Sequence, residues 1–236
     1  MKKKASRIIA GLTGLLLLLC VLFCYNAFCG NPVSGMIAKS RIDRYIADTY
    51  PQKDYRVSNV SYDFKTSRYS CAVTDPDSPD GCFAATFACG TVSDSYETDV
   101  LYKGNTIQRL DEGFRDAVNP IIRKHLDTGT DDGNEPEEFG YGALQDADAA
   151  LVESRLYPDM PVNAENMPLP TLVTVCLRTD DAASLIRVQQ LARNLQVSGY
   201  RIDAYSFGTS DEYYENVPTE ALMSAKTPEE LKPYRL

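Results

Sequence analysis

The longest apolar stretch of the chain lies near its start. From Ile8 to Cys29 the sequence IIAGLTGLLLLLCVLFCYNAFC runs for 22 residues without a charged side chain. At about 1.5 Å per helical residue, such a run spans the roughly 30 Å of bilayer hydrocarbon. Three lysines at positions 2–4 and Arg7 precede it, and the next charge is Lys39. The pattern predicts one membrane helix in contact with lipid over residues 8–29, with a cytoplasmic N-terminus and an extracytoplasmic remainder.

A cleaved signal peptide is the alternative interpretation of the same run. Signal peptides have an apolar region of about 7–15 residues followed by a small-residue cleavage site, whereas this run is longer and ends in Ala27-Phe28-Cys29. A lipoprotein anchor would need small residues directly before the modified cysteine, but leucine or phenylalanine precedes Cys20, Cys24 and Cys29. The sequence favours an uncleaved anchor, with the basic tip and helix together occupying residues 1–30.

Residues 31–127 show the pattern of an α+β domain. Apolar residues at helical spacing predict a helix over 35–49, with Ser34 as its N-cap and Pro51 as its stop. Three strand candidates follow over residues 55–64, 68–74 and 82–89, joined by a turn over residues 75–81. A phase slip near Asn59 predicts a bulge. The order is a helix and an antiparallel three-strand meander, and the helix is expected to cover one face of the sheet.

A long helix and an acidic linker follow this meander. Apolar spacings of three and four predict a helix from Asn105 to Leu126, bent at Pro120. The sequence DTGTDDGNEPEE then combines glycine with many acidic residues, which predicts a linker over residues 128–138 and a domain boundary there.

Residues 139–236 are predicted to form a smaller α/β domain. It opens with the sequence FGYG and a short helix over residues 146–156. A β-α-β unit follows, with strands over residues 171–177 and 200–207 joined by a helix over residues 181–196, so the strands are expected to be parallel. The sequence TPEE from Thr227 has the form of a capping box and predicts a last short helix.

Charge is distributed unevenly between the anchor and the remainder. The formal net charge is −9, but four of the 24 basic residues and none of the 33 acidic ones lie within residues 1–30. The remainder therefore carries 20 basic and 33 acidic residues. Such a surface repels nucleic acid, so no nucleic-acid partner is expected, and it favours cationic partners or simple solubility.

The cysteines outside the anchor leave two alternatives open. They are Cys71, Cys82, Cys89 and Cys176. An extracytoplasmic compartment permits disulfides, and Cys71 and Cys82 fall on two predicted strands joined by a short turn. Buried free thiols that act as small apolar residues fit equally well. No CxxC pair indicates zinc binding or redox chemistry.

Signatures of catalysis are absent from the sequence. The one histidine, His125, lies near the end of a predicted helix, where a structural role is expected. No nucleophile elbow, phosphate-binding glycine loop or histidine-rich zinc site is present. We therefore predict no catalytic residue, metal site or cofactor.

Three acidic or aromatic patterns are candidates for a site. Scattered carboxylates could pair for acid–base work; they are Asp94, Glu97, Asp99, Asp111 and Glu112. An EF-hand beginning at Asp127 would use Asp131 and Glu138, but Gly129 and Asp132 occupy positions that need a ligand and a glycine, so a solvated charge run is favoured. Tyr213-Tyr214 could form a contact patch, with partial burial as the simpler explanation.

Two segments resemble a known family. They are NPVSGMIAKSRIDRYIADTYPQKDYRVSNVSYDF and SDSYETDVLYKGNTIQRLDEGF. They look like the YfjL-like proteins of Gram-positive bacteria, which are uncharacterised and have one N-terminal membrane helix. The resemblance covers residue 31 to about residue 115 and weakens after Asp127. It implies location and architecture but assigns no site. The order of elements is also similar to PepSY-like or cystatin-like modules, and some PepSY modules are linked to peptidase control.

The sequence thus predicts a membrane-tethered, non-catalytic α+β protein on the outer face of a bacterial membrane. Its expected role is binding or regulation of an envelope protein or peptide. A carboxylate- or divalent-metal-dependent envelope enzyme is the alternative, and support of membrane-complex assembly is a third possibility.

Overall fold

The computed structural model describes residues 2–126, 138–178, 182–209 and 213–236, and its architecture is mixed α+β. The apolar run forms one helix, α1, over Lys2–Cys29. Over the described residues, the helical stretch that begins at Gly11 is the one long and apolar enough to cross a bilayer, judged by length and composition. None of its most apolar window is buried against protein. The chain forms two compact units, Met1–Leu101 (unit 1) and Tyr102–Leu236 (unit 2).

A tight break separates α1 from the second helix, α2, over Pro32–Thr49. Gly30 has a φ of +74°, and a side chain there would place its Cβ 2.7 Å from the Tyr62 ring, so the position requires glycine. The Asn31 side chain caps α2 by accepting a hydrogen bond from the Val33 amide, and Pro32 opens the helix. The helix therefore begins before the predicted Ser34 cap, but it ends at Thr49 as predicted.

Unit 1 contains a five-stranded antiparallel sheet. Its strands are β1 Arg56–Val57, β2 Ser61–Asp63, β3 Arg68–Asp75, β4 Ser78–Ala88 and β5 Thr91–Asp94. Both β1 and β2 pair with β3, and β4 lies between β3 and β5. The predicted first strand is thus interrupted at residues 58–60, where a bulge was expected. The strand β5 and a π-helix over Glu97–Leu101 were not predicted.

The β3–β4 hairpin is tighter than predicted. The expected turn over residues 75–81 contracts to Pro76 and Asp77, since Asp75 pairs with Ser78. The Asp75 carboxylate accepts a hydrogen bond from the Asp77 amide, which closes the turn. A Cβ at Gly81 would lie 2.7 Å from the Asp75 Cβ, so the opposite strand can approach only because residue 81 is glycine.

The core of unit 1 forms between α2 and the sheet. The buried face of α2 carries Ala38, Ile42 and Ile46 at intervals of four residues. Ile42 and Ile46 belong to one buried apolar cluster with Cys71, Val73, Phe83 and Ala85 of β3 and β4. The predicted arrangement of a helix over an antiparallel sheet is therefore present.

Unit 2 contains a four-stranded sheet in the order β6-β7-β8-β9. The strands are β6 Phe139–Leu144, β7 Thr171–Cys176, β8 Ala204–Gly208 and β9 Tyr213–Pro218. The strands β7 and β8 are parallel and joined through the helix α5, Ala182–Val197, so the β-α-β unit is present. The strand β8 begins four residues after the predicted Tyr200. Neither β6 nor β9 was predicted.

The remaining elements of unit 2 are helical. They are α3 Gly104–His125, α4 Ala149–Arg155, α6 Thr219–Ser224 and a 3-10 helix over Pro228–Tyr234. The predicted capping box at Thr227 does not form, because the Thr227 side chain makes no capping bond and Glu230 accepts from the Lys226 amide instead.

The division into units differs from the predicted domain boundary. We expected α3 to belong with residues 31–127 and the boundary to fall at 128–138, but the compact units divide after Leu101. The reason is that Phe114, Val118 and Ile122 of α3 share one buried core with the β7 residues Val173 and Val175. Residues 127–137 lie outside the described residues.

Candidate functional site

The densest group of polar and aromatic side chains in unit 1 surrounds Asp94, at the end of β5. One carboxylate oxygen of Asp94 accepts hydrogen bonds from the Tyr45 hydroxyl at 2.8 Å and the Tyr50 hydroxyl at 2.9 Å. The other oxygen accepts from the Tyr96 amide at 3.1 Å. Tyr45 lies in the C-terminal part of α2 and Tyr50 is its C-cap, so the carboxylate connects this helix to the far edge of the sheet.

Four aromatic rings pack beside this carboxylate. Tyr50 lies 4.7 Å from Tyr96 and 5.4 Å from Phe83, measured between ring centroids. Tyr55 packs edge-on against Phe83 at 5.2 Å. Edge-to-face and tilted contacts of this kind add about 0.5–1.5 kcal/mol per pair beyond the burial of area. The tyrosine rings thus pack against the core of unit 1, and the hydroxyls of Tyr45 and Tyr50 point to Asp94.

The environment of these tyrosines keeps their hydroxyls protonated. Burial, and then the hydrogen bond to Asp94, raise the pKa of Tyr45 and of Tyr50 above the ordinary value. Burial and the neighbouring Tyr96 raise the pKa of Tyr55 to about 12. A neutral phenol can donate to a carboxylate, whereas a phenolate cannot. We call this group, Tyr45, Tyr50, Tyr55, Phe83, Asp94 and Tyr96, the tyrosine cluster.

A charged pair lies at the end of β3, two strands away from Asp94. The Lys53 ammonium donates to the Asp75 carboxylate at 2.8 Å, and the Asp75 side chain is only 5% exposed. The hydrogen bond from Lys53 and that from the Asp77 amide hold the pKa of Asp75 below its usual value, while the same pairing raises the pKa of Lys53. The pair joins the loop after α2 to the β3–β4 turn.

The structure places the predicted carboxylates in separate environments. Asp94 and Asp99 lie in unit 1, where Asp99 accepts from the Ser95 and Thr98 hydroxyls. Asp111 and Glu112 lie on α3 in unit 2, and Glu112 accepts from Gln108 at 2.9 Å. Within the described parts of the chain, no three acidic, cysteine or histidine side chains are grouped to hold a metal ion.

The other predicted residues have individual roles. His125 ends α3 and lies 3.3 Å from the Asn194 amide of α5. Cys71 is buried, Cys82 and Cys176 are partly buried, Cys89 is exposed, and all four are free thiols in this structure. Burial raises the pKa of the Cys71 thiol. The EF-hand candidates Asp127 and Asp131 lie outside the described residues, and Glu138 is buried and paired with Arg187 at 2.5 Å.

Tyr213 and Tyr214 do not form a joint contact patch. They are neighbours on β9, so their side chains point to opposite faces of the sheet. Tyr214 is buried and stacks on Phe207 with 5.1 Å between ring centroids. Tyr213 is partly buried on the other face, and this burial raises its pKa. The alternative to a contact patch was partial burial, and this describes Tyr213, whereas Tyr214 is buried.

Side chains of α3 bind the outer edge of β6, an arrangement that was not predicted from the sequence. The Asn119 side chain accepts from the Gly142 amide at 2.9 Å, and Asp111 accepts from the Leu144 amide at 2.7 Å. A Cβ at Gly142 would lie 2.3 Å from Val118, so glycine allows the helix to come this close. Covering an edge strand in this way prevents it from pairing with another chain. The feature of the sequence that could have indicated this close approach of α3 is the pair of glycines in the FGYG motif, residues 139–142.

Comparison with known proteins shows that most of unit 1 is similar to a known family. Residues 2–91 match the family described as YfjL-like, N-terminal domain. This match covers 90 of the 236 residues. The whole chain is also similar to the uncharacterised protein YfjL of Bacillus subtilis (strain 168), at 27% identity over 216 residues, which cover 87% of this chain and 84% of that protein. No solved structure gives a significant match. The resemblance described from the sequence is therefore confirmed.

The matched residues contain α1, α2 and the strands β1 to β4. Tyr45 and Tyr50 lie within the matched residues, whereas Asp94 lies three residues beyond them. The similarity to the Bacillus subtilis protein extends over most of the chain, including much of unit 2.

Proposed function

We propose that this protein is tethered to the bacterial membrane by α1 and that residues from about 31 onward are extracytoplasmic. The observation that carries the proposal is α1 itself: every leucine, phenylalanine and valine side chain that the structure describes from Leu12 to Phe28 is more than half exposed, with no charge in the run. Exposed apolar area costs about 25 cal/mol per Å² in water, so a helix of this kind needs a lipid environment. The basic residues before it favour a cytoplasmic N-terminus.

The proposed role of the extracytoplasmic part is non-catalytic binding or regulation of an envelope protein or peptide. Support comes from the chemistry of the tyrosine cluster, in which the most concentrated carboxylate and phenol groups of unit 1 hydrogen-bond one another. These hydrogen bonds connect α2 and its C-cap to β5, so the carboxylate and the two phenols have a structural role. The similarity of the element order to PepSY-like modules remains a prediction and agrees with a regulatory role.

The tether is tested by fractionating cells that express the full chain with a C-terminal tag. Alkaline carbonate washing removes peripheral proteins, so the protein should stay in the membrane pellet at the mass of the uncleaved chain. A matched control replaces Leu16 and Leu17 with arginine. Charges near the bilayer centre cost about 2.5–3.5 kcal/mol each, and this variant should leave the pellet. A shorter protein in the medium would show that residues 1–30 are a signal peptide and would refute the tether.

The binding role is tested by purification from membranes in mild detergent after in-cell crosslinking. A specific envelope protein or peptide should copurify with the full chain. The matched control is a variant with the same tag and anchor but with residues 31–236 deleted, which should lose the partner. Recovery of the protein alone under all conditions would refute a binding role.

A further inference from the structure

The apolar surface of the chain does not end with α1. Phe28, in the last turn of α1, packs against Phe64 with 5.5 Å between ring centroids, and both remain about half exposed or more. Phe64 directly follows β2, so this contact brings the folded domain to the end of the apolar run. The contact extends the apolar surface of α1 onto unit 1.

The first turns of α2 continue the same surface. Val33, Met36 and Ile37 recur at intervals of three and four residues, which places them on one side of the helix. They are 63%, 74% and 51% exposed. The core residues Ala38, Ile42 and Ile46 lie on the opposite side, so α2 has a second apolar face that no described residue of unit 1 covers. We call Phe28, Val33, Met36, Ile37 and Phe64 the apolar shoulder.

The shoulder is held in a fixed position relative to the sheet. The Tyr69 hydroxyl accepts from the Asn31 amide at 3.0 Å and donates to the Asn31 carbonyl at 3.2 Å. The Tyr62 ring packs closely over Gly30 and lies 4.9 Å from the Tyr69 ring. Two strands of the sheet therefore clamp the break between α1 and α2, and the shoulder cannot reorient without losing these contacts.

Basic residues continue the exposed side of α2. Arg41 and Arg44 are exposed, and helical geometry places them on the same side as Val33 and Ile37, one to two turns further along. α2 also carries Lys39, Asp43 and Asp48, so its net charge is +1, whereas that of the chain as a whole is −9. Long arginine side chains next to apolar residues that enter the interface can extend their charged ends to anionic lipid headgroups.

We propose that the apolar shoulder inserts into the outer interface of the bilayer and that Arg41 and Arg44 contact lipid phosphates, so that unit 1 lies against the membrane instead of hanging free from its anchor. This inference rests on the proposed tether, because the occupant is the bilayer that α1 crosses. The bilayer is favoured over a protein partner by the continuity of the shoulder with α1 through the Phe28–Phe64 contact. A groove of about 650 Å³ beside Met36, lined also by Tyr25, Lys39 and Asp43, gives a lipid headgroup room to enter.

The chain contains no tryptophan, so single tryptophans report depth in the full-length protein without background. We would reconstitute the variants Phe64→Trp, Phe23→Trp and Thr74→Trp into vesicles of phosphatidylcholine and phosphatidylglycerol. The vesicles would contain lipids brominated either near the headgroup or deep in the acyl chain. Thr74 is the control in the same unit. It is exposed on β3, five residues or about 17 Å along the strand from Tyr69, which contacts Asn31 next to the apolar shoulder.

The expected result is strong quenching of Phe64→Trp by the shallow bromines, quenching of Phe23→Trp by the deep bromines, and no quenching of Thr74→Trp. Quenching of Phe23→Trp without that of Phe64→Trp would overturn the shoulder but leave the tether intact. Quenching of neither would refute both. Replacing Arg41 and Arg44 with glutamine should reduce the shallow quenching of Phe64→Trp at least two-fold in vesicles that contain phosphatidylglycerol. An unchanged value would overturn the role of the arginines.

Discussion

The Tyr50 hydroxyl donates a hydrogen bond to the Asp94 carboxylate over 2.9 Å and connects residues that are 44 positions apart in the chain. Tyr45 donates to the same oxygen atom. Replacing Asp94 with alanine should therefore leave two partly buried hydroxyls without their acceptor. We expect the free energy of unfolding of the full chain to fall by about 2–3 kcal/mol.

This change is measured by urea unfolding in detergent micelles, followed by tyrosine fluorescence. The control is Asp48→Ala, an exposed position near the end of α2. It should change stability by less than about 0.5 kcal/mol. Equal effects of the two substitutions would show that the cluster does not stabilise unit 1.

Alkaline titration should reveal the protected tyrosines. Burial raises the pKa of Tyr45, Tyr50 and Tyr55, and also that of Tyr205 in unit 2. Because these folded pKa values lie above the unfolded value of about 10, the tyrosines stabilise the fold fully below pH 10, and this contribution is lost as the pH rises through the folded values. Absorbance of phenolate near 295 nm should show fewer ionised tyrosines at pH 11 in the native chain than in urea. Identical curves would contradict the arrangement.

The contribution of the Lys53–Asp75 pair to the free energy of unfolding should depend on pH. The pKa of Asp75 is lowered in the folded protein, so the contribution of the pair is present above the unfolded pKa of about 3.9 and is lost as the pH falls through the folded value. Lys53→Met should cost about 1–2 kcal/mol at pH 7, because it leaves a buried carboxylate without its cation. The difference from wild type should shrink below pH 4.

Unfolding of this variant and of the wild type is compared across pH by circular dichroism. Lys65→Met, at an exposed position in the same unit, is the matched control and should show no such trend. If Lys53→Met lowered the free energy of unfolding by the same amount down to pH 2, the effect would come from lost packing and not from a lost ion pair.

Gly142→Ala tests the close packing of α3 on β6. The added methyl group would lie 2.3 Å from a Val118 methyl, so we expect overpacking to destabilise unit 2 by about 1–3 kcal/mol. Amide hydrogen exchange of β6 and β7 should become faster. The same substitution at Gly35, in the helix α2, meets only contacts of 3.6 Å and longer and should be neutral or stabilising. Unchanged exchange in Gly142→Ala would contradict the packing.

Periodicity and length predicted those parts of the fold in which local sequence decides the structure. The charge-free run over residues 8–29 forms α1, alternation predicts β3 and β4, and the β-α-β unit forms as predicted. The strand β6 was missed because two of its six residues are glycines, which disfavour a strand. Those glycines are explained only by the approach of α3. The predicted boundary at 128–138 followed composition, whereas the compact units divide at Leu101, where no change in composition marks the site.

The tyrosine cluster could not be predicted from the sequence. Asp94 was one of five candidate carboxylates, and nothing in its neighbourhood distinguished it from Asp99 or Asp111. Its partners lie 44 and 49 residues away in α2 and its C-cap, and they converge only because β5 pairs with β4 in one particular register. Register depends on the pairing of the whole sheet, which short-range patterns do not determine.

The central claim, a membrane tether with an extracytoplasmic remainder, is tested most directly by labelling Cys89 in intact protoplasts. Cys89 is an exposed thiol of unit 1 directly after β4, whereas Cys71 of β3 is buried. After mild reduction, a membrane-impermeant maleimide should modify the full-length chain in intact protoplasts, and Cys89→Ser should lose most of that label. Labelling that appears only after the protoplasts are lysed would place unit 1 in the cytoplasm and contradict the account.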